Sequence, residues 1–161
     1  MILPQKLFLT KGKGYHKDKL LSFEMALRSA GIEKQNLVFV SSIFPPGCKI
    51  LSKKEGLKLL RPGEITFCVM SKIQTKNPGE LISSALAVSL PEDEKSYGYI
   101  YECSFSKKSK KETENYAKKL AEELLKLKGV LPKRTLSVSE SCRAKKGNVW
   151  TTIICAAVFV L

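Results

Sequence analysis

Apolar and polar positions along this chain predict about six strands. The clearest alternation covers residues 97–105 and places the tyrosines on one face, with Gly98, Ile100 and Glu102 on the other. Residues 36–42 form a continuous apolar run, typical of a buried strand, that ends at two serines followed by two prolines. Further strands are predicted at residues 3–10, 64–71, 135–141 and 149–160.

Helical signals follow the first predicted strand. Residues 11–14, which alternate lysine and glycine, predict a loop. Residues 18–30 then begin at Asp18, which can cap a helix, and precede Gly31, which commonly ends one. On this helix Glu24 lies on or beside the apolar stripe, because leucines occur four residues before it and three after it.

Two further segments complete the helical prediction. Residues 109–128 open with Ser109 and Glu112 at capping-box spacing. Their apolar stripe is Tyr116, Leu120, Leu124 and Leu127. Residues 78–90 begin with Pro-Gly, are rich in serine and alanine, and predict a third helix that could pack closely on a sheet. Strands and helices in this order predict an α+β fold with layered packing.

The composition suits one globular domain, but the charge is unusual. The chain has 161 residues, of which 43% are hydrophobic and 27% charged, and its net charge is +13. Such an excess of lysine is typical of proteins that bind nucleic acid. The lysines are dispersed, and the densest group, residues 107–111, lacks interleaved aromatic residues. We interpret this group as a solvated helix face and keep a basic α+β nucleic-acid-binding module as the alternative function.

Several kinds of chemistry are disfavoured by the residue inventory. The five cysteines are scattered and form no cluster with histidine, so we expect no metal site. His16, the single histidine, lies among lysines in a predicted loop, which leaves no base for a hydrolase triad. No apolar run has membrane-spanning length, and residues 1–10 make a poor signal peptide. We therefore expect a cytoplasmic protein.

Four segments carry a more specific signal. They read ALRSAGI at residues 26–32, VSSIFPP at 40–46, PGELISSA at 78–85 and GYIYE at 98–102. In order and spacing they resemble the pyruvoyl-dependent arginine decarboxylase family. The resemblance implies a layered α/β sandwich of mostly antiparallel sheets flanked by helices. It also implies a trimer, or a dimer of trimers, whose active sites lie between neighbouring protomers.

Ser41 and Ser42 gain a chemical role from this resemblance. A serine hydroxyl can attack the carbonyl that precedes it, so Ser42 Oγ would convert the Ser41–Ser42 amide to an ester. The side-chain amide of Asn36 is a candidate donor to the resulting oxyanion. β-Elimination and loss of ammonia would then leave a pyruvoyl group at residue 42. The chain would become two pieces, 1–41 and 42–161, with a cofactor that requires neither pyridoxal phosphate nor metal.

The resemblance also implies roles for residues that meet the substrate. Glu102 matches the family's proton donor, and Glu24 and Leu27 fall in its substrate-binding segment. The implied reaction converts L-arginine to agmatine and carbon dioxide, an early step in polyamine synthesis or in acid resistance. Glu102 alone could equally be a strand-end carboxylate bound to a lysine. The family has an aspartate where this chain has Glu24, so lysine or a shorter cationic amino acid remains an alternative substrate.

Overall fold

The computed structural model describes residues 2–161, in which the chain forms nine strands and three helices. The strands are β1 (Lys6–His16), β2 (Asn36–Phe39), β3 (Ile43–Phe44), β4 (Lys49–Leu51), β5 (Ile65–Thr75), β6 (Leu81–Pro91), β7 (Gly98–Ser106), β8 (Pro132–Arg143) and β9 (Trp150–Val160). The helices are α1 (Lys19–Ala30), α2 (Lys53–Leu57) and α3 (Lys110–Leu127). No helix among these residues is both long enough and apolar enough to span a bilayer.

Two sheets pack face to face between two helices. The first has the order β2-β5-β9-β1-β4 and the second β3-β7-β6-β8. Within the described residues, β1–β4 and β2–β5 pair in parallel and the other strand pairs are antiparallel. The main core lies between the sheets, where Leu7, Val69, Leu86 and Ile100 are buried. Helix α1 covers the outer face of the first sheet and α3 that of the second. The predicted α+β layered sandwich is therefore confirmed.

The predicted loop at residues 11–14 is wrong, because β1 continues through it to His16. Eleven consecutive residues of β1 pair with β9, from Lys6 opposite Val160 to His16 opposite Trp150. The glycines serve the packing of α1. A Cβ on Gly12 would lie 2.0 Å from the Ala26 carbonyl oxygen, and one on Gly14 would lie 2.1 Å from that of Ser22. These two glycines let the helix backbone approach the strand closely.

The apolar run at residues 36–42 is a strand but not a buried one. β2 covers only its first four residues and lies at the edge of the first sheet, parallel to β5. Its side chains are mostly exposed in one chain, with Phe39 60% exposed and Val38 39% exposed, whereas Leu37 is partly buried against the core beneath α1. An apolar run at an unprotected edge is typical of a surface that another protein covers.

The helix predicted at residues 78–90 is also wrong, since this segment is β6. It lies inside the second sheet and pairs with β7 and β8. Its small residues suit a strand buried on both faces, and the serine hydroxyls find partners there. Ser83 and Thr113 share a hydrogen bond of 2.5 Å, and Ser84 donates to Ser71 at 2.8 Å. The serines and alanines that suggested a close-packed helix therefore belong to a buried strand, in which the serine hydroxyls are hydrogen-bonded.

The other two predicted helices are confirmed, with corrections of detail. Asp18 caps α1, Gly31 ends it with φ of 84°, and Ser109 with Glu112 forms the capping box of α3. The predicted apolar stripe of α3 is wrong. Its buried side chains are Thr113, Ala117, Ala121 and Leu125, whereas Leu127 is 85% exposed. Small residues face the sheet because they let α3 pack closely on the alanines of β6.

Candidate active site

Ser41 and Ser42 lie where the chain crosses from one sheet to the other. β2 is an edge strand of the first sheet. β3, which begins at Ile43, is an edge strand of the second sheet and pairs antiparallel with β7. The crossing is held on both sides. The Val40 amide donates to the Cys68 carbonyl at 3.0 Å, and the Ile100 amide donates to the Ser42 carbonyl at 2.9 Å. The backbone around the predicted cleavage bond is therefore fixed by both sheets.

The side chain of Ser42 meets Glu102 on β7. Ser42 Oγ donates a hydrogen bond of 3.1 Å to Glu102 Oε2. Glu102 points from β7 toward the first sheet, on the same face as the buried residues Gly98 and Ile100. Burial raises the pKa of the Glu102 carboxyl, and the hydrogen bond from Ser42 partly opposes that rise. The structure thus brings together two residues that the sequence analysis selected, and gives the carboxyl a stronger affinity for a proton.

The Ser41 carbonyl has a donor that the sequence analysis missed. The backbone amide of Ile43 donates to this oxygen at 3.0 Å, closing a three-residue turn centred on Ser42. This amide lies where negative charge would develop if Ser42 Oγ attacked the Ser41 carbon. The sequence offers no signal for this donor, because every residue except proline has a backbone amide. The path of the backbone decides which amide points at the Ser41 carbonyl.

Asn36 does not contact the two serines within one chain. It lies at the opposite end of β2, and its Nδ2 donates to the Gly63 carbonyl at 2.8 Å. Its predicted role in cleavage stays a prediction. If Asn36 assists cleavage, it must approach from another copy of the chain or leave its present hydrogen bond.

The predicted substrate-binding residues lie on α1, on the outer face of the first sheet and away from Ser42. Leu27 packs in the core beneath the helix with Phe8 and Ile154 and is 9% exposed. Glu24 is partly exposed, and its Oε1 accepts a hydrogen bond of 2.9 Å from Arg28 Nε. One chain therefore holds the predicted cleavage residues and the candidate guanidinium anchor on separate layers of the fold.

A shallow apolar groove adjoins the predicted cleavage bond on the Ser41 side. Its volume is about 320 Å³, and its wall includes Ile2, Leu3, Val40, Ser41, Phe67 and Phe159. The segment before β1 therefore runs beside residues 40 and 41. β1 itself is an inner strand of the first sheet, so the part of the chain before Ser42 supplies a buried strand to the core.

No group of three or more histidine, cysteine, aspartate or glutamate side chains within residues 2–161 is arranged to hold a metal ion. All five cysteines are free thiols. The groups that the structure places around Ser42 are a hydroxyl, a carboxyl of raised pKa and oriented backbone amides.

Comparison with known proteins gives the family. The family model described as pyruvoyl-dependent arginine decarboxylase matches residues 6–161. The chain is 47% identical over 161 residues to pyruvoyl-dependent arginine decarboxylase 1 of Methanosarcina mazei, covering 99% of this chain and 98% of that protein. It is 44% identical over 160 residues to pyruvoyl-dependent arginine decarboxylase 2 of Archaeoglobus fulgidus, covering 99% of each.

A solved structure shares the fold at low sequence identity. A pyruvoyl-dependent histidine decarboxylase, determined at pH 8, is similar with a TM-score of 0.50 and 15% identity, covering 63% of this chain and 53% of its own. Neither the family nor these relatives support the alternative nucleic-acid-binding function. The prediction from the four sequence segments is confirmed, and the chain belongs to the pyruvoyl-dependent arginine decarboxylase family.

Proposed function

We propose that this chain cleaves its own backbone between Ser41 and Ser42 and then decarboxylates L-arginine to agmatine and carbon dioxide, as a carbon–carbon lyase. Membership of the family supports the proposal. The observation that carries it is the contact of Ser42 Oγ with Glu102 beside a Ser41 carbonyl that already accepts an amide hydrogen bond.

Cleavage begins with the Ser42 hydroxyl. Glu102 accepts its proton, and the oxygen attacks the Ser41 carbonyl carbon, while the Ile43 amide stabilises the oxyanion. Collapse of this adduct breaks the amide C–N bond, the Ser42 nitrogen takes the proton held by Glu102, and an ester remains. Loss of the Ser42 Cα proton then breaks the Cβ–O bond of the ester, so that Ser41 leaves as the carboxylate end of the 1–41 piece. Residue 42, now dehydroalanine, tautomerises and reacts with water to release ammonia, which leaves a pyruvoyl group on the 42–161 piece.

The pyruvoyl group at residue 42 supplies the electron sink that decarboxylation requires. After carbon dioxide leaves, the substrate α-carbon needs a proton, and Glu102 is the group that delivers it. Burial raises the pKa of Glu102, which keeps a larger share of this carboxyl protonated near neutral pH than an exposed glutamate would have. Because β7 and β3 hold both partners, Glu102 stays beside residue 42 after cleavage.

Arginine is held by its guanidinium, and Glu24 is the proposed anchor. A carboxylate suits this role because it accepts two hydrogen bonds from a planar guanidinium. Glu24 and Ser42 of one chain lie on separate layers, so the complete site requires a second copy. The exposed apolar side chains around β2 support such an assembly, which we propose to be a trimer or a dimer of trimers. They are Val38, Phe39, Val40, Ile43 and Ile65.

The test of activity is release of labelled carbon dioxide from L-arginine labelled at its carboxyl carbon, with agmatine measured in the same reaction. We expect equal amounts of both products without added pyridoxal phosphate or metal. Histidine and lysine, labelled in the same way, are the comparison substrates. Cleaved protein that releases no carbon dioxide from arginine but does so from lysine would overturn the substrate assignment.

A further inference from the structure

Arg28 places a guanidinium of the chain itself on the carboxylate proposed to bind substrate. Its Nε donates to Glu24 Oε1 at 2.9 Å, one helical turn along α1. No second salt bridge to Glu24 forms within residues 2–161. The hydrogen bond engages one carboxylate oxygen and one nitrogen, whereas a free arginine could engage both oxygens with two nitrogens.

The pair lies at the surface, where it can open. The Arg28 side chain is 59% exposed and that of Glu24 is 34% exposed. Exposed apolar side chains border it on the same helix, namely Leu20, Leu21 and Met25. Surface pairs of this kind are weak, since their attraction is screened by water and opposed by side-chain entropy. A better-placed guanidinium can therefore displace Arg28 from Glu24.

We propose that Arg28 is an internal competitor for Glu24, which weakens the binding of arginine without taking part in the reaction. The inference rests on the proposed function, in which Glu24 anchors the guanidinium of the substrate. An arriving arginine must either displace the Arg28 side chain or share a carboxylate that is already neutralised. Arg28 thereby raises the KM for arginine and leaves kcat unchanged, because the competition ends once the substrate is bound.

The net charge of the chain also affects how a cationic substrate is attracted to Glu24. A chain of net charge +13 repels a cationic substrate, and Glu24 provides local attraction only to the extent that it is not already paired. Arg28 therefore acts in two ways, by occupying hydrogen-bonding positions and by cancelling the local negative charge. Both effects depend on Glu24, but any cation placed near that carboxylate could produce the second.

The experiment compares steady-state kinetics of the cleaved enzyme with those of Arg28→Gln. Glutamine keeps a good helix propensity and removes the charge and the guanidinium. We expect the KM for arginine to fall by about two- to fivefold, the range of an exposed ion pair, with kcat unchanged. The dissociation constant of agmatine, measured by calorimetry, should fall by a similar factor. Arg134→Gln, on β8 of the other sheet, removes the same charge and should leave both constants nearly unchanged.

Two further variants separate this proposal from the one on which it rests. Glu24→Gln should raise the KM, and adding Arg28→Gln to Glu24→Gln should then change it little. An unchanged or higher KM in Arg28→Gln, with Glu24→Gln impaired, would overturn the competitor role and leave the anchor intact. An unchanged KM in Glu24→Gln would remove the anchor itself. Thermal unfolding and extent of cleavage are compared for each variant, so that a folding defect is recognised.

Discussion

Ser42 Oγ donates a hydrogen bond of 3.1 Å to Glu102 Oε2, although the two residues are sixty positions apart in the sequence. The contact joins the chain crossing after β2 to the buried face of β7, and it is present before any bond has been cleaved. Glu102 can therefore act twice, first on the Ser42 hydroxyl and later on the substrate. One carboxyl of raised pKa suits both steps, because it accepts a proton from the Ser42 hydroxyl in the first and delivers a proton to the substrate α-carbon in the second.

The first prediction distinguishes the two neighbouring serines. Ser42→Ala should give a folded, uncleaved and inactive protein, because no hydroxyl remains to attack the Ser41 carbonyl. Ser41→Ala is the matched control and should still cleave, since the mechanism uses only the carbonyl and not the hydroxyl of Ser41. Gel electrophoresis under denaturing conditions measures the outcome. Cleavage of Ser42→Ala, or its complete loss in Ser41→Ala, would contradict the assignment.

The second prediction concerns Glu102→Gln. The family resemblance implied only that Glu102 donates a proton during turnover. Its contact with Ser42 in the uncleaved chain predicts in addition that cleavage slows, by roughly 10–10²-fold, because glutamine cannot accept the proton. Turnover of the cleaved variant should fall by at least about 10²-fold. Glu123→Gln, an exposed change on α3, is the control for lost charge. Parental turnover in cleaved Glu102→Gln would make Glu102 a structural carboxylate.

Parts of this site could be predicted from sequence because their signals are local. The alternation in β7 put Glu102 on the inner face, and the order of serines and prolines marked the end of a strand. Other parts depended on tertiary structure. The edge position of β2 follows from sheet order, so an apolar run that looks buried lies at the surface of one chain. The Ile43 amide is positioned by the pairing of β3 with β7, a relationship between distant segments.

The wrong predictions about secondary structure have a similar origin. Small residues at 78–90 fit either a close-packed helix or a strand buried on both faces, and pairing with β7 and β8 selects the strand. Gly12 and Gly14 look like loop residues until α1 is seen to lie against them. The competition between Arg28 and substrate could be proposed only after the structure paired Arg28 with Glu24.

The third prediction follows from the sign of the Glu102 pKa shift. A raised pKa means that the folded protein binds this proton more tightly than the unfolded chain does. The tighter binding of this proton stabilises the folded state fully at pH values below the ordinary glutamate pKa. This stabilisation is lost as pH rises through the raised pKa of Glu102. Glutamine carries no such proton, so Ser42→Ala/Glu102→Gln should gain stability relative to Ser42→Ala as pH rises from about 4 to about 7.

Thermal unfolding of these two uncleaved proteins across that pH range measures the difference. Carboxyls whose pKa is lowered, such as Glu80 and Glu114, change stability with pH in the opposite direction. Both proteins keep these carboxyls, so their contributions cancel in the difference between the two Tm values. A constant difference in Tm between the two proteins at all pH values would contradict a raised pKa at Glu102.

The fourth prediction places Asn36 in the assembly instead of in the single chain. If a neighbouring copy brings its amide to the Ser41 carbonyl, Asn36→Ala should slow cleavage by roughly 10²–10³-fold. The cleavage rate of the parent protein should then rise with protein concentration until assembly is complete. Gln35→Ala, one residue away, is the control. Cleavage of Asn36→Ala at the parental rate would remove Asn36 from the mechanism.

The central claim is that residue 42 becomes a pyruvoyl group, and intact-mass spectrometry of the purified protein tests it most directly. We predict two pieces, 1–41 and 42–161, which stay associated under native conditions because β1 is an inner strand of the first sheet. The 42–161 piece should be lighter by one ammonia than the same piece made by simple hydrolysis. A 42–161 piece with an ordinary serine at its amino terminus, or a single intact chain in protein that decarboxylates arginine, would contradict the account.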